Sequence, residues 1–146
     1  MRAAVFALTD GGAALAARLC AVLDGEAQLY LPERLSGSTS TAGHTAYFAH
    51  LSAAITTAFS RYDALVCVMA TGIVVRTLAP CVRSKLYDPA VIVFDEQGRH
   101  GISLLSGHVG GANDLTRTLC AAVGADPVIT TATDVTGVLA PDAVAA

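Results

Sequence analysis

The residues of this sequence best suited to chemistry surround one histidine. Within residues 106–113, a histidine and an asparagine are accompanied by three glycines: His108, Asn113, Gly107, Gly110 and Gly111. Glycine lets a ligand approach the backbone, and the N–H groups that begin a helix favour a bound anion. A helix start also favours the neutral form of a histidine, which can take a proton from water. We predict a site that activates water beside an anion, with a purely structural strand-to-helix turn as the alternative.

A group of cations supports the prediction of an anionic ligand. No Asp or Glu occurs between Ala64 and Tyr87, whereas three basic residues do: Arg76, Arg83 and Lys85. Because the whole chain has a net charge of −3, this local charge of +3 favours an anion over separate, solvated charges. Polar or small residues that follow other predicted strands complete the predicted binding site: Thr71, Gly72, Ser106, Thr131, Thr133 and Asp134.

Familiar nucleotide-binding and nucleophile motifs are missing. The first predicted strand is followed by Gly11 and Gly12 without the further spacing of a dinucleotide-binding loop, and no G-x-x-x-x-G-K-[ST] sequence occurs. Ser106 stands at a strand-to-helix turn but lacks the flanking glycines of a G-x-S-x-G elbow. His108 as a general base is therefore favoured over Ser106 as a nucleophile.

The cysteines do not have the spacing of a metal site or a disulfide framework. They lie far apart among Ala, Val and Leu, at positions 20, 67, 81 and 120. Such positions are typical of buried thiols. We predict that the protein binds no metal of its own.

The composition is typical of one folded domain. Of the 146 residues, 53% are hydrophobic and only 14% are charged, which excludes a disordered chain. No apolar run reaches the roughly 18 residues of a membrane helix, and the N-terminal run ends too early for a signal peptide, so we expect a cytoplasmic protein without a membrane partner. The acidic balance leaves no basic face for nucleic acid, and the apolar excess favours a homodimer.

Short apolar runs alternate with longer helical stretches. The runs predict strands over Ala3–Leu8, Ala27–Leu31, Ala64–Met69, Val91–Phe94, Ile102–Leu105 and Val128–Thr130. The stretches predict helices over Gly12–Leu23, Thr45–Phe59, Gly72–Leu78 and Gly111–Val123, the last ended by Gly124. This alternation predicts an α/β fold, a Rossmann or flavodoxin-like three-layer sandwich around a mixed, mostly parallel sheet with one antiparallel hairpin.

The hairpin decides where the candidate residues meet. Residues 95–101 are too few for a helical crossover, so Val91–Phe94 and Ile102–Leu105 are predicted to pair antiparallel. We expect the second of these strands to run parallel to the main set and Val91–Phe94 to be reversed. Lys85 and Asp88 would then join the strand ends at the one edge of the sheet where α/β proteins bind ligands.

A long loop is predicted over residues 32–43. It is rich in Ser, Thr and Gly, and it is long for an α/β connection. A lid over the ligand and a disordered segment are both consistent with this composition.

Four segments carry a resemblance to a known family. They are TGIVVR (71–76), DPAVIVFDE (88–96), ISLLSGHVGGANDL (102–115) and PVITTATD (127–134). Together they resemble the N-terminal region of the cobalt-precorrin-5A hydrolase family of anaerobic cobalamin biosynthesis. The resemblance covers most of the chain, from the first strand to about Gly137. The segment L-L-S-G-H-x-G-G-A-N is a specific motif and not a generic turn sequence.

The resemblance implies a reaction and a substrate. Enzymes of that family open the δ-lactone of an anionic cobalt tetrapyrrole, cobalt-precorrin-5A, and release acetaldehyde to give cobalt-precorrin-5B. The cobalt belongs to the substrate, so the resemblance implies no cofactor. The acetate and propionate carboxylates of such a substrate would need the cations at 76, 83 and 85.

The implied reaction suggests roles for the candidate residues. His108 is expected to act as the base, and the amides of Gly110 and Gly111, with Asn113, as donors to the oxyanion. Lys85 either holds a carboxylate or polarises the lactone carbonyl. Either Asp88 or Asp134 is expected to orient His108.

The members of the family that this chain resembles are longer, with a separate C-terminal domain. We expect residues 1–138 to form a single α/β domain and residues 139–146 to be a tail or a linker to that domain. An alternative function is a noncatalytic tetrapyrrole-binding domain that needs the C-terminal domain, or another enzyme of the cobalamin pathway, as its partner. A third is a flavodoxin-like domain that binds a phosphate-bearing ligand, although an aromatic content of 5% without Trp argues against a stacked flavin.

Overall fold

A computed structural model describes residues 1–23, 26–37, 45–108 and 110–132. Within these residues one sheet has the strand order β3-β2-β1-β4-β5-β6-β7. Its strands are β1 Ala3–Ala7, β2 Ala27–Pro32, β3 Thr45–Phe48, β4 Ala64–Val68, β5 Ala90–Phe94, β6 His100–Leu105 and β7 Asp126–Val128. The helices are α1 Asp10–Val22, α2 Leu51–Arg61, α3 Thr71–Leu78 and α4 Ala112–Val123, with a short 3-10 turn at Glu33–Leu35.

The sheet is the middle of three layers, as predicted. Helices α1 and α4 pack on one face against side chains such as Val5, Val66 and Ile92. Helices α2 and α3 pack on the other face against the alternate side chains, such as Phe6 and Leu65. Strands β1, β4 and β5 are therefore buried along their whole length, which explains why they are apolar at every position.

The strand directions correct one prediction. Strands β1 to β5 are all parallel, β6 runs antiparallel to β5, and β7 runs parallel to β6. The hairpin is confirmed, but β5 is not the reversed strand. Helix α3 and the residues after it are long enough for a parallel crossover from β4 to β5, so the reversal falls on β6 and β7.

The predicted helix Thr45–Phe59 was wrong in its first part. Thr45–Phe48 form strand β3, which pairs in parallel with β2, and the helix begins only at Leu51. Thr, Tyr and Phe favour strands, and Phe48 is buried with its ring centroid 6.1 Å from that of Phe6. Tertiary packing of this aromatic side chain therefore outweighs the helical spacing of the apolar residues.

A bulge interrupts the hairpin close to its open end. Ile92 pairs with Ser103 and Val91 pairs with Leu105, so Leu104 has no residue opposite it. A bulge of this kind bends its strand and re-aims the side chains that follow. The bend lies directly before Ser106, where β6 ends.

The other boundaries agree with the sequence analysis to within a few residues. Gly124 has a φ of +76° at the end of α4, as its predicted role requires. The cysteines are free thiols: Cys67 and Cys120 are buried, whereas Cys20 and Cys81 are half-buried. No helix in the described part of the chain has the length and apolar character needed to cross a bilayer.

Candidate functional site

The predicted site residues divide between two ends of the sheet. We name the end where β1, β4 and β5 finish the carboxyl edge, and the end where β4 and β5 begin and β6 finishes the amino edge. Because β5 is parallel to β4, residues 85–89 lie at the amino edge and do not join the carboxyl edge as predicted. The antiparallel β6 brings its own carboxyl end, Leu105, to the amino edge as well.

The structure brings most of the candidates together at the amino edge. These are Arg83, Lys85, Asp88, Ser106, Gly107, His108, Gly110, Gly111, Asn113 and Thr131. Thr71, Gly72 and Arg76 belong to α3, which begins at the carboxyl edge. Thr133 and Asp134 lie outside the described residues, as does the segment 139–146 predicted to be a tail or linker. Of the loop predicted over residues 32–43, Pro32 ends β2 and Glu33–Leu35 form the 3-10 turn, and residues 38–43 lie outside the described part of the chain.

The loop that carries His108 is tightly wound. Ser106 has a φ of +62°, a conformation uncommon for any residue except glycine, and Gly111 has a φ of +80°. The Ser106 hydroxyl donates to the Asp88 carbonyl oxygen at 3.1 Å, which attaches the loop to the residues before β5. His108 is half-buried within this loop.

Two glycines are required where the loop packs on itself. A Cβ atom at Gly110 would lie 2.4 Å from the Cβ of Ser106 and 2.8 Å from its carbonyl oxygen. A Cβ atom at Gly107 would lie 2.8 Å from Oδ1 of Asn113. Side chains at these positions would force the backbone to move, so the glycines fix the path of the chain around His108.

The Asn113 side chain supports the loop through two hydrogen bonds. The side chain is 3% exposed; Oδ1 accepts from the Ser103 hydroxyl at 2.6 Å and Nδ2 donates to the Thr131 hydroxyl at 3.2 Å. It thus joins β6, α4 and the residues after β7. In this structure Asn113 positions the loop, which differs from the oxyanion-donor role predicted for it.

The first N–H groups of α4 are already engaged. Gly111, Ala112 and Asn113 donate through their backbone N–H groups to the carbonyl oxygens of His108, Ser106 and Gly107, at 3.2, 3.1 and 3.0 Å. From the sequence, these N–H groups were predicted to be open to an anion. In the structure they donate to carbonyl oxygens of the loop, and these hydrogen bonds stabilise the turn.

Asp88 also organises its own loop. Its Oδ2 accepts from the backbone N–H groups of Arg83 and Ser84, at 2.8 and 3.0 Å. The Asp88 carboxylate therefore binds backbone groups of its own loop. The side chains of Arg83 and Lys85 remain exposed. The result is a cationic surface beside the Ser106–Asn113 loop.

The carboxyl edge has the opposite charge character. A cavity of about 670 Å³ opens there over Met69, Val93 and Ile102, and Asp95 and Glu96 stand at its side. Thr9 donates to Glu96 at 2.6 Å. The acidic side chains beside this cavity disfavour an anionic ligand inside it.

Arg76 lies at the carboxyl edge, where the Arg34 guanidinium also donates to the Leu8 carbonyl oxygen. The Arg76 guanidinium folds back along α3, so that a Cβ atom at Gly72 would lie 3.3 Å from Arg76 Nη1. Arg76 is thereby separated from Arg83 and Lys85 by the length of its helix. The predicted cationic group is therefore two groups.

The thiols of Cys67 and Cys20 are poor nucleophiles. Burial raises the pKa of the Cys67 thiol to about 12 and that of the Cys20 thiol to about 11. Both stay protonated at neutral pH, and it is the thiolate that reacts. The chemistry of the site must come from other groups. No three His, Cys, Asp or Glu side chains converge as a metal site in the part of the chain that the structure describes.

Comparison with known proteins places this arrangement in a family. Residues 36–134, which include the loop around His108 and the loop around Asp88, match the family described as Cobalamin synthesis G N-terminal. The chain belongs to this family. The resemblance found in the sequence is thereby confirmed.

Named relatives of the family point to the same pathway. A cobalt-precorrin-5A hydrolase of Salmonella typhimurium is 50% identical over 142 residues, which are 97% of this chain and 39% of that protein. Another, of Priestia megaterium, is 38% identical over 132 residues, which are 90% of this chain and 35% of that protein. The chain thus spans well under half the length of these relatives.

A solved structure shares the fold. A cobalamin biosynthesis protein G homolog from Sulfolobus solfataricus matches with a TM-score of 0.67 and 24% identity, covering 88% of this chain and 36% of that one. This likeness confirms the α/β architecture.

In this member of the family, sequence reasoning missed two residues of the amino edge. Ser103 holds Asn113, and its signal was a polar side chain in an otherwise apolar strand. Tyr87 is 87% exposed, and its signal was an aromatic residue in a cationic loop without the spacing of a core element.

Proposed function

We propose that this chain acts in cobalamin biosynthesis as the N-terminal part of a cobalt-precorrin-5A hydrolase. Its substrate is an anionic cobalt tetrapyrrole that brings its own metal. The identity of 50% with a cobalt-precorrin-5A hydrolase over nearly the whole chain supports the reaction. The concentration of His108, Arg83 and Lys85 at the amino edge supports that edge as the site.

The reaction needs a base and one water molecule. Water adds to the lactone carbonyl and the ring C–O bond breaks, which leaves a carboxylate and a free hydroxyl. When that hydroxyl becomes a carbonyl, its proton is lost and the C–C bond to the macrocycle breaks. The electron pair and a proton go to the macrocycle, and acetaldehyde leaves.

His108 is the group we assign to the proton transfers. It is half-buried in a loop whose path is fixed by Ser106 and by the glycines on either side of the histidine, so its backbone is held in place. A positioned histidine typically contributes a factor of about 10² to 10⁴ as a general base or acid. The exposed cations of the neighbouring loop would bind the peripheral carboxylates of the substrate.

The test is anaerobic incubation of the 146-residue chain with cobalt-precorrin-5A, with acetaldehyde and the substrate absorbance measured together. We expect acetaldehyde release that falls at least about 100-fold in His108→Ala. The matched control is His100→Ala, which changes an exposed histidine at the other end of the sheet and should keep the parent rate. Parent-like turnover by His108→Ala would refute the assignment of the base.

One observation favours the noncatalytic alternative. The N–H groups of Gly111 and of the first residues of α4 donate to loop carbonyls, so they are not available as oxyanion donors in this structure. The missing donors would then come from the rest of the longer protein. A shift of the substrate absorbance without acetaldehyde would identify this chain as the binding domain.

A further inference from the structure

An exposed apolar surface lies beside the His108 loop, on the connection between α3 and β5. Val82 is 43% exposed, Leu86 is 50% exposed, and Tyr87 shows the largest exposure among the large hydrophobic side chains of the described residues. Single exposed apolar side chains are common, whereas several in one loop mark a candidate binding surface. The basic residues Arg83 and Lys85 lie between Val82 and Leu86 along the chain.

The exposure does not come from a loose loop. Asp88 accepts from the N–H groups of Arg83 and Ser84, the Ser84 hydroxyl accepts from the N–H of Leu86 at 3.2 Å, and the Ser84 carbonyl accepts from Tyr87 at 3.1 Å. The backbone is thus held on both sides of the tyrosine. The backbone position of Tyr87 is therefore fixed, and we name Tyr87, Leu86 and Val82 the platform.

The platform is attached to the candidate catalytic loop. Asp88 directly follows Tyr87, and its carbonyl oxygen accepts from the Ser106 hydroxyl, two residues before His108. On its other side Tyr87 lines a cavity of about 530 Å³ together with Phe59, Pro80 and Pro89. A ligand lying on the tyrosine would therefore be adjacent to the His108 loop.

We propose that Tyr87, with Leu86 and Val82, is the surface on which the face of the macrocycle lies, while Arg83 and Lys85 bind its carboxylates. The proposal rests on the proposed function and adds the binding mode. An aromatic ring stacks on a flat conjugated ligand, and the presence of apolar and cationic side chains in one loop matches a ring with an apolar face and an anionic rim. A purely apolar protein interface would not need the cations, and a purely ionic site would not need Tyr87.

The test uses uroporphyrin, an octacarboxylate porphyrin, as the probe, with binding to the 146-residue chain followed by the shift of the Soret band. We expect Tyr87→Ala to weaken binding at least tenfold and Tyr87→Phe to retain it. Tyr47→Ala is the matched control, because Tyr47 is also exposed, at 39%, but lies on the outer strand β3. Thermal unfolding checks that the three variants are folded.

Equal binding of uroporphyrin by the parent and Tyr87→Ala would overturn the proposal. If the parent also sediments as a dimer and Tyr87→Ala as a monomer, this surface is a protein interface instead. Tyrosine-dependent binding without acetaldehyde release would support the platform and contradict the proposed catalysis, so the two failures are distinguishable.

Discussion

The two edges of the sheet are built from similar parts but differ in charge and in how closely they are packed. At the carboxyl edge, Thr9 caps α1 by accepting from the Gly12 N–H at 3.0 Å and donates to Glu96. At the amino edge, Asn113 and the Ser106 hydroxyl make the corresponding links. The cavity of the carboxyl edge has Asp95 and Glu96 at its side, whereas the loop before β5 at the amino edge presents Arg83 and Lys85.

The difference shows how a reversed strand can move a site. Ligands of α/β proteins usually bind at the carboxyl ends of strands. In this fold that rule applies to both edges, because β6 and β7 point opposite to β1–β5. The anionic ligand that we propose would bind at the edge where β6 and β7 end, beside Arg83 and Lys85.

The largest effect is expected when a glycine of the amino edge is replaced by alanine and the result is compared with the same substitution at the carboxyl edge. Gly110→Ala would place a Cβ atom 2.4 Å from the Ser106 Cβ, so the loop must move, and we expect turnover of cobalt-precorrin-5A to fall about 100-fold or more because the base is displaced. Gly11→Ala at the carboxyl edge meets only Glu96, at 4.0 Å, and should keep full activity. Equal activity of the two variants would place the reaction away from the amino edge.

A smaller effect is expected on stability. Asn113→Ala leaves the Ser103 and Thr131 hydroxyls without their buried partner and should lower the free energy of unfolding by about 2 kcal/mol. Thr9→Ala removes a helix cap at the carboxyl edge and should cost about 1 kcal/mol. Urea titrations measure both. A larger loss of unfolding free energy for Thr9→Ala than for Asn113→Ala would contradict the expectation that the amino edge is the more closely packed of the two.

The next prediction concerns the cations of the amino edge, whose removal is expected to change the KM about tenfold. We expect the double variant Arg83→Gln and Lys85→Gln to raise the KM for cobalt-precorrin-5A about tenfold, with the difference shrinking at high salt. Arg76→Gln, whose guanidinium lies over the start of α3, should change KM less than about twofold. The same rise in KM for both would mean that the substrate reaches across the domain.

The smallest effect concerns the hairpin turn at the carboxyl edge. Burial alone would raise the pKa of Asp95, but N–H donation from His100 and Arg99 outweighs it and holds that pKa below its ordinary value of 3.8. The stabilisation is therefore complete above pH 3.8 and is lost as the pH falls through the lower, folded pKa. Asp95→Asn should be less stable than the parent at pH 6, and the difference should vanish in strong acid. A difference independent of pH would show that the charge is not involved.

Much of the architecture could be predicted because it depends on local pattern. The buried strands are apolar at every position, and α4 shows helical spacing up to the Gly124 stop, so these elements and the hairpin were identified. The direction of β5 was not, because direction depends on which crossover is long enough, and a sequence does not show how residues 79–89 are folded. Strand β3 was missed because its aromatic packing on Phe6 is a long-range contact.

The site was predicted in composition but not in geometry. The segment around His108 was found because its glycines are clustered in the sequence. Arg76 was grouped with Arg83 and Lys85 by proximity along the chain, although a helix separates them in space. The buried position of Asn113 follows from the bulge and from contacts with residues after β7, and neither leaves a pattern in the sequence.

The hairpin also bears on the order in which the protein folds. Phe94 pairs with Gly101 across a short turn, whereas Ala3 pairs with Ala64, far away along the chain. Short loops close at a lower entropic cost, and hairpins form within about 1–10 μs. We therefore expect β5 and β6 to pair early. The segment that carries His108 would then grow out of one of the first structures to form, before the centre of the sheet is assembled.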